Sequence, residues 1–401
     1  MDSKMKLLLV LDPTSGFYPL ASERLLNEVT VMMDKKWKVH LTSQAILNAN
    51  LACDYEVHKV PLISSLNSII SRALFLISSA YKGVKIVKKH NIHAILTING
   101  HLHLGFVAYL IKKITKRKCI VRVNENDILA LTLLIKRLHT PILSNEVILR
   151  MVEVISRKIE NFIFGHVDWI VTHGPMDYEK IKKITTKATL IPLWIDAEKF
   201  KPLPKDQTSQ LKKELIGVSD DTKVILSVGR LHPTKDIETL FNALKELVEV
   251  RKNTMLVMIG TGPDKEKCVK LAKKLSIIDK VKFLGYIPHE QMPKYYNVAD
   301  IYVLTSIWEE WSNTIMEAMA SGVLVIATNV GGNPYLVRDK ETGFLVPPKV
   351  PQVLAEKIRY VLDHSNEMEK ITSNACLSMR KFSKQDIGEL YKRTIVKVIK
   401  N

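Results

Sequence analysis

Residues 306–322 read SIWEEWSNTIMEAMASG, and this stretch decides the predicted fold class. Ser312 and Asn313 are residue types that favour the N-cap of an α-helix, so residues 314–320 are predicted to form the helix that follows. The amides at the start of such a helix form a binding site for an anion such as a diphosphate. The stretch therefore predicts a loop and a helix start that bind a phosphorylated ligand.

Two glutamates flank this predicted anion site. Glu309 lies in the loop, where it can reach the sugar end of a ligand. Glu317 lies one turn inside the helix, where its carboxylate can accept two hydrogen bonds from ribose hydroxyls. The alternative is that both are solvated surface charges. Glu317 argues against this alternative, because it lies within the apolar run 315–320, where an unpaired carboxylate is costly.

On both sides of this stretch, short apolar strands alternate with longer amphipathic helices, a pattern typical of parallel βαβ units. A break with two closely spaced prolines, Pro202 and Pro204, falls within residues 196–206. The chain is therefore predicted to be an α/β protein with two Rossmann-like doubly wound domains that face each other across a cleft. The predicted strands are 6–11, 38–42, 94–98, 119–123, 169–172, 189–192, 223–228, 255–259, 281–284, 301–304, 324–327 and 343–346.

Two glycine-containing loops follow predicted strands of the second half. The first, VGRLHPTK at residues 228–235, combines Gly229, which permits close backbone approach, with Arg230 and Lys235, which can bind phosphate. The alternative for this loop is a capped turn with surface cations. The second, GTGP at residues 260–263, lacks the third glycine of a GxGxxG motif and is predicted to be a tight turn in which Pro263 starts the next helix.

In order and spacing, the whole second half resembles glycosyltransferase family 4, whose members are retaining enzymes with the GT-B fold. Glu309 and Glu317 stand at the two glutamates of the family's E-x7-E signature. One departure is Glu310, which stands where the family usually has glycine; it is expected to point outward, and the alternative is a changed choice of donor. The other matching segments are GRL at 229–231 with Lys235, VKFLG at 281–285, AD at 299–300, LVIATNVGGNP at 324–334 and TGFLVP at 342–347.

The resemblance implies roles for individual residues. Arg230 and Lys235 would neutralise the diphosphate of a nucleotide-sugar donor, and Glu309 would contact the transferred sugar. These three are the predicted catalytic residues. The predicted donor-binding residues are Gly16 in the first loop, Gly229, Tyr286 and Ile287 near the base, Ser312, Asn313 and Thr314 at the distal phosphate, and Glu317 at the ribose.

The first half matches the family more weakly, and there the resemblance implies the acceptor side. Many members carry a histidine where this chain has Asn124, which cannot serve as a base, whereas Asp127 matches a frequent acidic position. His101 and His103 follow another predicted strand; they are interpreted as hydrogen-bonding residues rather than a metal pair, because no third ligand accompanies them. Activity is still expected, since in such retaining transfer the leaving diphosphate itself takes the acceptor proton.

Composition limits the remaining possibilities. The 401 residues are 46% hydrophobic and 25% charged, the balance of an ordinary globular protein of about two domains. The first apolar run ends at Asp12-Pro13, too soon for a signal peptide, and no run is long enough for a predicted membrane-spanning helix. Four scattered cysteines without a CxxC pair argue against a disulfide framework or a cysteine-based zinc site, and indicate a reducing compartment such as the cytoplasm.

The net charge of +18 has more than one interpretation. Basic segments at 82–89 and 112–118 accompany apolar-rich segments at 62–80 and 128–143, a combination that can bind the surface of an anionic membrane peripherally. The alternative is core helices with solvated lysines. No nucleic-acid-binding motif accompanies the charge, so nucleic acid is not an expected partner.

The sequence thus predicts an acceptor-side domain at 1–196, a nucleotide-sugar-binding domain at 197–382, and a final helix near 383–401 that packs back on the first domain. The expected reaction is transfer of a hexose from a UDP or GDP sugar to a hydroxyl of a glycan or lipid-linked acceptor, with retention and with neither cofactor nor metal. The alternative is a non-catalytic, glycosyltransferase-like subunit that binds a nucleotide sugar or a partner.

Overall fold

A computed structural model of the chain describes residues 5–10, 37–43, 54–60, 69–98, 102–123 and 146–401. The chain divides into two compact units. The first is Met1–Pro192 together with Gln385–Asn401, and the second is Leu193–Lys384. The functional domain limits expected at residues 196 and 382 stay a prediction.

The described part of the first unit contains a seven-stranded parallel sheet in the order β3-β2-β1-β4-β5-β6-β7. This order extends the Rossmann order 3-2-1-4-5-6 by one strand. Its strands are β1 (Met5–Val10), β2 (Trp37–Ser43), β3 (Asp54–Lys59), β4 (Ala94–Thr97), β5 (Lys118–Val123), β6 (Trp169–Thr172) and β7 (Ala188–Leu190). Its helices are α1 (Ile69–His90), α2 (His103–Thr115), α3 (Glu146–His166), α4 (Pro175–Lys182) and the last helix of the chain, α13 (Lys384–Lys400).

The second unit contains a six-stranded parallel sheet in the order β10-β9-β8-β11-β12-β13, which is the Rossmann order. Its strands are β8 (Lys223–Val228), β9 (Thr254–Ile259), β10 (Val281–Gly285), β11 (Ile301–Leu304), β12 (Leu324–Thr328) and β13 (Phe344–Val346). Its helices are α5 (Lys205–Leu211), α6 (Ile237–Val250), α7 (Lys265–Lys274), α8 (Met292–Asn297), α9 (Asn313–Ala320), α10 (Asn333–Leu336), α11 (Pro351–Asp363) and α12 (Met368–Met379).

The central strands of both sheets are buried without alternation. All four residues of β4 and all five of β12 are buried. Apolar runs of this kind are what parallel strands require, because neither of their faces meets water. In the second unit, Phe241 and Leu244 of α6 pack in one core with Ile225 of β8 and Val303 of β11.

The prediction of an α/β chain with two Rossmann-like doubly wound domains is confirmed. Each predicted strand corresponds to a strand of the structure to within two residues at either end. β3 was missed because its sequence, DYEVHK, alternates charged and apolar residues and has no apolar run. The prediction that Pro263 starts a helix is wrong: α7 begins at Lys265, and Pro263 lies in the preceding turn. None of the helices in the described residues is long and apolar enough to cross a membrane.

Candidate active site

The candidate site of the second unit lies at the carboxyl ends of β8 and β11. These two strands are neighbours, and the strand order of the sheet reverses between them. In open parallel sheets, ligands bind at this reversal point, outside the carboxyl ends of the strands. The loop after β8 contains residues 229–235, and the loop after β11 contains residues 305–312.

An ion pair joins the two loops. Lys235 ends a short 3-10 helix, Pro233–Lys235, and its Nζ contacts Oε1 of Glu309. Ser306 Oγ donates to the same carboxylate oxygen at 2.6 Å. The backbones are also joined, since Ile307 N donates to the Thr234 carbonyl at 2.9 Å. A cation and a carboxylate are therefore held together at the reversal point of the sheet.

Two glycines that follow β12 pack against the backbone of the loop that contains Glu309. Gly332 N donates to the Glu309 carbonyl at 2.8 Å. A Cβ atom on Gly331 would lie 1.7 Å from that carbonyl oxygen, and one on Gly332 would lie 1.9 Å from the Glu310 carbonyl oxygen. Only glycine fits this close approach of two backbones, which explains the glycine pair that follows β12.

Helix α9 begins directly after this loop, as predicted. Ser312 is its N-cap, and Ser312 Oγ accepts from Ile315 N at 3.4 Å. Tyr302 of β11 donates its hydroxyl to Thr314 Oγ1 at 2.6 Å, which fixes the first turn of the helix against the sheet. The positive end of the helix dipole thus lies beside the Lys235–Glu309 pair, where it favours an anion.

Glu317 is buried, with only 7% of its surface exposed, and it has two partners. His289 Nε2 lies 2.9 Å from Oε1, and the Tyr296 hydroxyl donates to Oε2 at 2.8 Å. Burial and the neighbouring Glu317 carboxylate raise the pKa of Tyr296, so its hydroxyl stays a donor at neutral pH. The sequence indicated that Glu317 needs partners but did not identify these two.

Tyr296→Phe is expected to lower the free energy of unfolding by about 1.5–3 kcal/mol, because it takes one hydrogen bond from a buried carboxylate. Urea denaturation measures the change. Tyr335→Phe is the matched control, since Tyr335 is 55% exposed, and its effect is expected to stay within about 0.5 kcal/mol. Equal effects of the two substitutions would mean that the Tyr296–Glu317 bond carries no stability.

The loops after β8, β9 and β10 pack side by side. Gly229 N donates to the Ile259 carbonyl at 2.9 Å, and Gly260 N donates to the Gly285 carbonyl at 2.7 Å. A Cβ atom on Gly260 would lie 1.9 Å from the Gly229 carbonyl oxygen, so glycine is required there. Tyr286, which is exposed, and Ile287, which is half-buried, follow in the loop from which His289 reaches Glu317.

Arg230 follows Gly229, and its side chain is exposed. Within the described residues it has no hydrogen bond or ion pair, in contrast to Lys235. The expectation that Glu310 points outward is wrong: its side chain is half-buried, and Oε1 is fully buried. The close packing of the Glu310 backbone on Gly332 holds it in the loop.

The structure thus brings together the second-unit members of the predicted set. They are Gly229, Arg230, Lys235, Tyr286, Ile287, Glu309, Ser312, Asn313, Thr314 and Glu317. In the first unit, His103 is the first residue of α2 and is half-buried. The remaining predicted residues, Gly16, His101, Asn124 and Asp127, lie outside the described residues.

One buried cation of the first unit was missed by the sequence analysis. Arg122, near the carboxyl end of β5, is 1% exposed, and its Nε donates to His173 Nε2 at 2.5 Å. His173 Nδ1 in turn lies 2.6 Å from the Ile191 carbonyl oxygen, and the Arg122 guanidinium lies over the ring of Tyr391 of α13. The sequence feature that could have indicated a buried Arg122 is its position within the apolar strand CIVRV, two residues before Asn124.

The fold is that of GT-B proteins. The structure superposes on sucrose-phosphate synthase from Thermosynechococcus elongatus with a TM-score of 0.77 at 18% identity, over 98% of this chain and all of that one. It superposes on Anabaena HepE, solved in complex with UDP, with a TM-score of 0.74 at 19% identity, again over 98% of this chain and all of the other.

Residues 209–377 match the family model for glycosyl transferases group 1. It is 36% identical to an uncharacterized glycosyltransferase of Methanocaldococcus jannaschii over 44% of this chain and 43% of that protein. It is 31% identical to D-inositol 3-phosphate glycosyltransferase of Corynebacterium efficiens over 53% of this chain and 50% of that protein. The match thus spans about half the length of these curated relatives.

Proposed function

We propose that this protein is a retaining glycosyltransferase that moves a hexose from a UDP or GDP sugar to a hydroxyl of a glycan or lipid-linked acceptor in the cytoplasm. The observation that carries the proposal is the convergence of Lys235, Glu309 and the start of α9 at the reversal point of the second sheet. A cation, a carboxylate and a helix dipole in that position suit a ligand with a diphosphate and a sugar.

In this proposal the donor diphosphate lies between the start of α9 and the cations Arg230 and Lys235. Arg230 is exposed and Lys235 is paired with Glu309, so the phosphate meets two cations from the loop after β8. Negative charge grows on the diphosphate as the bond to the sugar breaks. Positioned cations and helix amides stabilise this charge, which is the largest catalytic contribution that such a site can make.

The two glutamates have different tasks in this proposal. Glu309 contacts the transferred sugar. Glu317 binds a ribose hydroxyl through Oε1, where the half-exposed His289 is the partner that a hydroxyl can replace, while Tyr296 keeps Oε2 in place. A carboxylate held by one buried partner is pre-organised for its second hydrogen bond, which lowers the entropic cost of binding.

The proposed step breaks the bond between the sugar C1 and the leaving phosphate oxygen. The acceptor oxygen bonds to C1 on the same face, and the acceptor proton passes to the leaving phosphate. Such a step needs no protein base, so Asn124 in place of a histidine is compatible with it, and the proposed reaction uses no metal ion. Support for the uridine donors comes from HepE, which has been solved with UDP-glucose.

The anomeric configuration of the first hexose released from an α-linked donor tests the proposal. Time-resolved NMR is expected to show the α-anomer first, before mutarotation. A β-anomer appearing first would exclude retention. Donor binding without release of nucleoside diphosphate, with or without glycan acceptors, would favour a non-catalytic subunit. The observation that supports this alternative is the buried carboxylate oxygen of Glu310 in the loop after β11.

Peripheral contact with an anionic membrane belongs to the same proposal, and α2 and α3 of the first unit support it. Tyr109 of α2 packs against Phe162 of α3, so the two helices are neighbours. Of the basic segment 112–118, Lys113 and Lys116 are exposed, whereas Lys112 is paired with Asp168 at 2.9 Å. The exposed apolar residues on these helices are Phe106, Ile114, Val147, Met151, Val154, Ile155, Ile159 and Phe162.

Ile155→Asp is expected to lower the fraction of protein that co-sediments with anionic phosphatidylglycerol vesicles at low salt, because it places a charge in the apolar contact. Val250→Asp, at an exposed apolar residue of the second unit, is the control and is expected to bind as the unmodified protein does. If the unmodified protein fails to co-sediment, the membrane proposal is wrong.

A further inference from the structure

Four side chains with metal-binding atoms converge in the first unit. His40 lies on β2, Glu56 and His58 lie on β3, and His90 is the last residue of α1. His40 is the register partner of Glu56, and His58 stands two residues further along β3, so all three point to one face of the sheet. His40 is also the register partner of Leu8, which packs with Ile86 and Val87 of α1, so α1 covers this face.

The distances between these atoms suit one ion. His40 Nδ1 lies 3.1 Å from His58 Nε2 and 3.6 Å from Glu56 Oε2, and His58 Nε2 lies 3.7 Å from Glu56 Oε1. One ligand atom from each of the four residues lies within 4.8 Å of all the others. Tetrahedral Zn²⁺, with bonds of about 2.0–2.1 Å, places its ligand atoms about 3.3 Å apart.

We propose that His40, Glu56, His58 and His90 form a Zn²⁺ site, separate from the proposed transfer site in the second unit. Three imidazoles and one carboxylate form a ligand set that suits zinc and its neighbours in the first transition series, whereas Mg²⁺ and Ca²⁺ prefer oxygen ligands. The four ligands come from three separate elements and match no spacing motif, so the sequence gives no sign of this site.

The burial of the ligands fits this assignment. His40 is fully buried, whereas Glu56 is 43% exposed, so an ion can reach the cluster from the side of β3.

The lysines near the cluster oppose the binding of a metal ion. Lys38 lies near His40, and Lys82 and Lys89 lie near His58, so their positive charges repel Zn²⁺. The Glu56 carboxylate offsets part of this repulsion and supplies the anionic ligand. A bound ion would tie β2 and the edge strand β3 to the end of α1, which makes the site structural.

The test uses the full chain without a polyhistidine tag, stripped with a chelator and titrated with Co²⁺ as a spectroscopic substitute for Zn²⁺. One equivalent of Co²⁺ is expected to give the visible absorption of a tetrahedral complex, and Zn²⁺ is expected to remove it. Zn²⁺ is also expected to raise the Tm of the unmodified protein.

Substitutions identify the ligands. His58→Ala and His90→Ala are each expected to weaken Zn²⁺ binding by at least about 10–100-fold, measured by competition with a chromophoric chelator. Glu56→Gln keeps the size of a half-exposed side chain and is expected to act in the same direction without unfolding the unit. His364→Ala, at an exposed histidine directly after α11, is the control. Absence of the cobalt spectrum, or equal affinity in His58→Ala and His364→Ala, would overturn the proposal and leave a hydrogen-bonded histidine pair.

Discussion

Replacing Arg230 by alanine is expected to lower kcat for sugar transfer by about a thousandfold while leaving the fold intact. Arg230 is exposed and unpaired among the described residues, so its removal leaves no buried group without a partner. The loss falls on the transition state, because the guanidinium meets a diphosphate whose negative charge grows as the sugar departs. Removing a single hydrogen-bond donor to such a developing charge lowers kcat by about 10²–10³-fold. A positively charged donor is expected at the upper end of this range.

Two controls accompany the Arg230→Ala measurement. Arg359→Ala removes an exposed arginine from α11 and is expected to keep full activity. Asn124→Ala is expected to reduce turnover only modestly, because the proposed step uses the leaving phosphate rather than a protein base. Equal losses in Arg230→Ala and Asn124→Ala would show that the assignment of catalysis to the second-unit cations is wrong.

Glu309→Gln is expected to lower kcat by about a hundredfold or more, with a smaller change in the KM for the donor. The substitution keeps the size of the side chain and leaves Ser306 an acceptor, but it removes the charge that positions Lys235 and contacts the sugar. An interaction made mainly in the transition state shows itself as a loss in kcat at nearly constant KM. Steady-state kinetics with the preferred donor separates the two constants.

Glu310→Gln is the matched control, since it makes the same chemical change one residue further along the loop. Glu310 is half-buried and packs through its backbone on Gly332, and no catalytic role is assigned to it. We expect it to keep kcat within about threefold of the unmodified protein, a barrier change of less than about 1 kcal/mol. A large loss in Glu310→Gln together with a small loss in Glu309→Gln would reverse the roles of the two carboxylates.

The parallel strands and the start of α9 could be predicted from the sequence because local signals decide them. The run LVIAT of β12 is buried on both faces, and Ser312 caps the helix through its own hydroxyl, so composition and capping chemistry are sufficient. β3 was not predicted, because DYEVHK is an edge strand whose charged residues hide its pairing with β2. Pairing with a neighbour overrides local pattern in such a strand.

The candidate site could be predicted only in part. The sequence identified Glu317 as a carboxylate that needs partners, but His289 and Tyr296 belong to a loop and a helix 28 and 21 residues away. The cluster of His40, Glu56, His58 and His90 was missed for the same reason, since His40 and His90 are brought together by the packing of α1 on the sheet. Contacts between separate elements depend on register and packing, which residue types alone do not determine.

A thermal-shift panel of UDP, GDP, ADP and dTDP with their common sugars, with sugar hydrolysis followed in the same samples, tests whether the second unit holds a working donor site. We expect that one uridine or guanosine nucleotide raises the Tm saturably, that its sugar is slowly hydrolysed, and that Glu317→Gln loses the shift. If no nucleotide shifts the unmodified protein while Glu317→Gln is equally stable, the second unit holds no working donor site, and the glycosyltransferase proposal is contradicted.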